Sequence, residues 1–184
     1  MSEALSVTNL VKEAKATYQR GDFLEAANKF EAARHAYEAA NDALNAAEMG
    51  NNASVAFLQA HEAELAYKAL EGTSEIFSQA GDLKRQGMAL GNLASALEAL
   101  DRDEEAMEIY QQSASVLEQA GEDQLRATVL QSLSMLQFRS GKQLQALASM
   151  QNGLDGVKHP TVKQSFLKKL LRIPVDVATR NKPS

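Results

Sequence analysis

An all-α solenoid of helix–turn–helix units is the fold this sequence predicts, and three observations predict it. The first is a period: cutting the 184 residues every 40 sets like on like. Ala26, Ala66, Ala106 and Ala146 form one column of small residues. Ala14, Ser54, Ala94 and Ser134 form a second, and Ala33, Thr73, Ser113 and Gly153 a third. Large residues recur in their own columns: Phe30, Leu70, Tyr110 and Met150, then Tyr37, Phe77, Leu117 and Val157. A fixed period of this size means stacked units, none able to bury its apolar face alone. The second observation is helical spacing. Over 103–120, Ala106, Ile109, Tyr110, Val116, Leu117 and Ala120 fall on one stripe, and the glutamates fall off it. The third is a break about every 20 residues, at Gly21, Asn41, His61, Gly81, Asp101, Gly121 and Gly141.

These signals order the elements. Units are expected near 7–46, 47–86, 87–126 and 127–158, each of two antiparallel helices of roughly 15–19 residues. Asp22, with Glu25 three positions on, has capping-box spacing at the start of the second helix. His159-Pro160-Thr161 interrupts the chain. Val162, Phe166, Leu170 and Ile173 then form one apolar stripe, with Lys163, Lys168, Lys169 and Arg172 mostly off it. That pattern predicts a capping helix over about 161–172 whose stripe covers the last unit. Residues 1–173 thus read as a single solenoid. After Pro174 no helical pattern remains, and 174–184 reads as a flexible tail.

Composition narrows the functional classes. Hydrophobic residues are 45 % of the chain, aromatics only 5 %, and there is neither Trp nor Cys. Disulfides, thiol nucleophiles and thiolate metal sites are therefore excluded. No apolar run approaches the ~20 residues of a membrane span, and the start lacks a secretion-signal profile, so a cytoplasmic protein is expected. The net charge of −5 is uneven. Residues 157–184 sum to +6 and the rest to −11, and an acidic body argues against nucleic acid as a partner. His35, His61 and His159 stand in no metal-ligand or triad spacing, and no phosphate-binding glycine loop occurs. The reading is no enzyme, no catalytic or metal residues, no cofactor and no small-molecule substrate.

The unit pattern resembles the tetratricopeptide repeat (TPR) family over residues 7 to about 158. With the first position at Val7, Ala47, Gly87 and Ala127, all twelve small positions are filled, and Gly21-Asp22-Phe23-Leu24-Glu25-Ala26 matches the family's inter-helix turn. Glu13, Thr17, Gly50, Ala53 and Gln137 depart from its bulky positions. Six extra residues per unit make the chain similar to the long-unit branch of kinesin light chains and G-protein-signalling modulators. The resemblance implies a right-handed solenoid with a concave groove lined by each unit's first helix, binding a protein or peptide. The groove positions it implies are Lys12, Lys15, Tyr18, Asn51, Asn52, Val55, Asn92, Ser95, Gln131, Met135 and Arg139. Asn52 and Asn92 stand one period apart, and the long-unit branch uses Asn there to pair with a bound peptide backbone. The co-chaperone carboxylate clamp is not matched, since only Asn52 fits it. The alternative is a structural or assembly subunit acting through self-association or its basic C-terminal segment.

Overall fold

The computed structural model describes residues 2–158 and 160–171, and the described residues form ten α-helices with no strand. They are α1 (Ser2–Gln19), α2 (Phe23–Ala39), α3 (Ala43–Gln59), α4 (Ala63–Ala69), α5 (Thr73–Gln79), α6 (Leu83–Ala99), α7 (Asp103–Gln119), α8 (Asp123–Arg139), α9 (Gln143–Asp155) and α10 (Val162–Leu171). Successive helices pack on one another, except that α4 and α5 both pack between α3 and α6, and α3, α6 and α8 also adjoin in series. The fold is the expected all-α solenoid with a terminal helix.

One turn, repeated seven times, sets the geometry. Gly21, Asn41, His61, Gly81, Asp101, Gly121 and Gly141 all take the left-handed conformation, with φ between 57° and 88°. At each, the next residue's N–H donates to the carbonyl five residues back, from Asp22 to Thr17 through Lys142 to Gln137, at 2.8–3.2 Å. This bond satisfies a carbonyl the helix end would otherwise orphan. His61 and Asp101 close their helices as the glycines do, without glycine's freedom.

Capping differs from the sequence expectation. The Asp42 carboxylate accepts the Asn45 N–H at 3.2 Å, and the Asp82 carboxylate accepts the Arg85 N–H at 2.9 Å. Asp22 makes no such bond; its carboxylate turns instead to Arg20 Nε at 3.2 Å, and Glu25 pairs with Lys29. Asp82→Ala is therefore expected to lower stability by about 1 kcal/mol and Asp22→Ala by less than about 0.5 kcal/mol. The backbone N–H of Arg85, then its guanidinium, hold the Asp82 carboxyl below its ordinary 3.8. Its contribution is thus complete above that value and disappears as pH falls through the lowered one. Urea titrations of both variants at neutral and acid pH check this.

The small columns are where helices meet. Ala26, Ala66 and Ala106 are 0 % exposed, as are Ala14, Ser54, Ala94, Ala33 and Ser113. Two apolar clusters, one around Phe30 and Phe57 and one around Tyr110 and Leu133, are joined by Tyr67, which packs against both. Thr17 and Gln137, two of the departures from bulky residues, are buried and hydrogen-bonded: Thr17 Oγ1 accepts from Arg20, and Gln137 Oε1 accepts from Ser149.

Two expectations are corrected. The second helix of the second unit is not continuous: it breaks at Gly72 (φ 71°) into α4 and α5. Thr73 N–H donates to Leu70, and the Ala69 carbonyl turns outward to accept Arg34 Nη1 at 3.2 Å. That carbonyl lies where a side chain on residue 50 would be, 2.6 Å from an ideal Cβ, so Gly50 permits the approach. The terminal helix also docks with another face. Val162 is 88 % and Phe166 68 % exposed, whereas Gln164, Leu167 and Lys168 turn inward. Lys168 pairs with Asp155 at 3.0 Å, which draws a cation expected on the free face onto the packed one. The Leu170 side chain, Arg172, Ile173 and the expected tail at 174–184 lie outside the described residues.

Candidate functional site

An open groove of about 690 Å³ runs across α3, α6 and α8. Val55 and Leu58 form its α3 wall, Asn92, Ser95 and Glu98 its α6 floor, and Ser132, Met135 and Arg139 its α8 wall. Each set recurs at helical spacing, which carries it along one face of its helix. Leu58 also packs into the core behind the groove, so that wall is fixed.

The floor is a hydrogen-bonded network. Tyr110 reaches through from α7, and its hydroxyl donates to Glu98 Oε2 at 2.9 Å. Ser95 Oγ lies 3.0 Å from the same hydroxyl, and Arg139 pairs across from α8 with Glu98. Burial, reinforced by the Glu98 carboxylate, pushes the phenol up to about 12, so Tyr110 stays a neutral donor at physiological pH. Asp101 and Asp103 give one end of the groove an acidic rim, where Asp103 accepts from Ser140 Oγ at 3.1 Å. A second cavity of about 190 Å³ shares Asn92, Ser95, Tyr110 and Ser132 and extends toward Met88 and Leu125.

Of the residues the resemblance implied, Val55, Asn92, Ser95, Met135 and Arg139 meet in this one groove. Asn51 is buried, and its Oδ1 accepts Asn92 Nδ2 at 2.9 Å; it is a support for Asn92 rather than an open surface. Asn92 keeps its carbonyl oxygen and one N–H for a ligand. Asn52, the next residue along α3, is half-buried and has no hydrogen-bond partner among the described residues. Lys12 and Lys15 are exposed on α1, away from this groove, and Tyr18 packs edge-on to Phe23 with ring centroids 5.2 Å apart. Gln131 faces α10, in a cleft shared with Gln164 and Leu167. Tyr110 was not among the implied residues. It belongs to a packing column, and its only sequence signal is a hydroxyl where the other three units carry Phe, Leu and Met.

Among the described residues, no three His, Asp or Glu side chains gather as metal ligands would. No helix among them is long and apolar enough to cross a membrane.

The family model for SNAP, the soluble NSF attachment protein, matches residues 4–171. No curated protein matches the chain. The crystal structure of BtubC (BKLC) from P. vanneervenii is similar in fold, with a TM-score of 0.61 and 15 % identity; the likeness covers 100 % of this chain and 93 % of that one.

Proposed function

The chain belongs to the soluble NSF attachment protein (SNAP) family, and from that premise we propose that it is a non-enzymatic scaffold holding a protein or peptide in the groove across α3, α6 and α8. Proteins are the kind of partner this family binds. The observation that carries the reading is the make-up of the groove. It is long and open rather than enclosed, apolar on its walls at Val55, Leu58 and Met135, and polar along its floor. Such a surface suits an extended or helical segment, whose side chains meet the walls while its backbone meets amides and hydroxyls.

Asn92 and Asn52 are assigned to the partner's backbone, and the acidic rim at Asp101 favours a cationic residue at one end of the bound segment. The 40-residue columns support counting the chain among long-unit TPR solenoids, with units at 7–46, 47–86, 87–126 and 127–158. Photo-crosslinking tests the reading. A crosslinker at Gln59, beside the groove, should capture a partner protein that one at Gln111, exposed on α7, does not. Capture from Gln111 alone would move the site to the outer face.

A further inference from the structure

The last joint of the stack is built differently from the one before it. Gln164 Nε2 donates to Gln124 Oε1 at 3.3 Å across one full period of 40 residues. The register echoes the inner joint, where Arg139 meets Glu98 from 41 residues away. In sequence register, α10 stands where a fifth first helix begins, and its described part reaches Leu171, the counterpart of Gln131. The half of α8 that seals the inner joint holds Leu133 at 1 % and Leu136 at 0 % exposure, and its counterpart one period on lies outside the described residues.

An apolar cleft of about 600 Å³ lies open there, lined by Met135, Phe138, Leu144, Leu147 and Met150. Leu144 is 85 %, Phe138 65 % and Met135 55 % exposed. At the inner joint the places of Phe138 and Leu144 belong to Glu98 and Glu104, which pair with Arg139 and Lys142. The end of a solenoid is ordinarily its most polar face. Here the end has exchanged the inner joint's carboxylates for large apolar groups, as a covered surface would.

A helical continuation of α10 in register would not fill the cleft. In the same register Pro174 would take the place of Ser134 and Asp176 that of fully buried Leu136. Proline breaks a helix interior, and a carboxylate in that position would be desolvated without a partner. The same end does offer a complementary ridge: Val162 and Phe166, one turn apart on the outer edge of α10. Ridge and cleft on one end of one molecule can satisfy each other twice about a two-fold axis. We infer that the chain forms an end-to-end dimer, in which Val162 and Phe166 of each copy enter the Phe138–Leu144 cleft of the other. Met135 borders both surfaces, but the inference is tested apart from the groove reading, because Phe138, Leu144 and Phe166 line no part of that groove.

Light scattering on the full chain after size exclusion, from about 1 to 100 µM, tests it. The wild type should show twice the mass of the single chain, and should keep it at high salt, as an apolar contact does. Phe138→Glu with Leu144→Glu should halve the mass, and so should Phe166→Glu, with unchanged circular dichroism because all three sites are exposed. Mixing the two monomeric variants leaves one ridge and one cleft intact, so part of the dimer should return. A wild type that stays monomeric at the highest concentration, or a dimer indifferent to both variants, would overturn the inference.

Discussion

Leu117→Ala is expected to lower stability by about 2–5 kcal/mol, and Gly87→Ala added to it to restore part of that loss. Leu117 is 0 % exposed, and an ideal Cβ on Gly87 would stand 2.6 Å from its Cγ. Gly87 therefore exists for Leu117: α6 and α7 approach so closely that only a hydrogen fits opposite the branched side chain. The Gly87 carbonyl also accepts Ser113 Oγ at 2.6 Å, which pins the same contact. Alone, Gly87→Ala should destabilise by about 1–3 kcal/mol, despite alanine's better helix propensity. With Leu117 truncated, the new methyl occupies the vacated volume. Chemical denaturation of the two single variants and the double variant measures the coupling. Simple additivity would mean the helices are not in this register.

Gly50→Ala should also destabilise by about 1–3 kcal/mol, against a propensity gain of about 1 kcal/mol. The obstacle here is backbone. The added Cβ would meet the Ala69 carbonyl at 2.6 Å, and Arg34 holds that carbonyl in place. Relief requires α4 to withdraw, which breaks the Arg34 bond and loosens the α4–α5 junction. Amide exchange over 67–76 should accelerate accordingly. Gly91→Ala is the control. Its nearest neighbours, Ser113 Oγ and Val129 Cγ2, are side-chain atoms at 3.3 Å that can give way. Equal effects at positions 50 and 91 would remove the backbone contact as the cause.

The sequence was most legible where one physical demand acts locally and repeats. Left-handed turns need Gly, Asn or a tolerant polar residue, and close helix contacts need small side chains. Both recur along the chain, so the seven turns and the buried alanine columns could be read without coordinates. The Gly72 break was harder, because strong helical spacing runs up to it from both sides. Its signal lay 22 residues away: Gly50, which looked like a mere departure from a bulky position, is the space the turned-out Ala69 carbonyl requires.

The terminal helix shows a second limit. Its sequence offers apolar residues on two faces, and Val162 with Phe166 has the better spacing. The Lys168–Asp155 pair and the Gln164–Gln124 contact help fix the choice, and neither is local in sequence. The groove lies between these cases. Val55, Asn92, Ser95, Met135 and Arg139 follow from their place on each first helix. That Asn51 holds Asn92, and that Tyr110 reaches in from the opposite layer, depends on packing between units.

The most direct test of the groove reading is the affinity of the crosslinked partner for the Val55→Glu, Met135→Glu double variant. Val55 is half-buried on one groove wall and Met135 exposed on the other, so the pair alters the binding surface and leaves both main core clusters and the Asn51–Asn92 bond intact. Loss of two apolar contacts and two charges set into the walls together predict at least about a tenfold weaker complex, with a nearly unchanged melting temperature. An affinity equal to that of the wild type would contradict the assignment of the groove as the site.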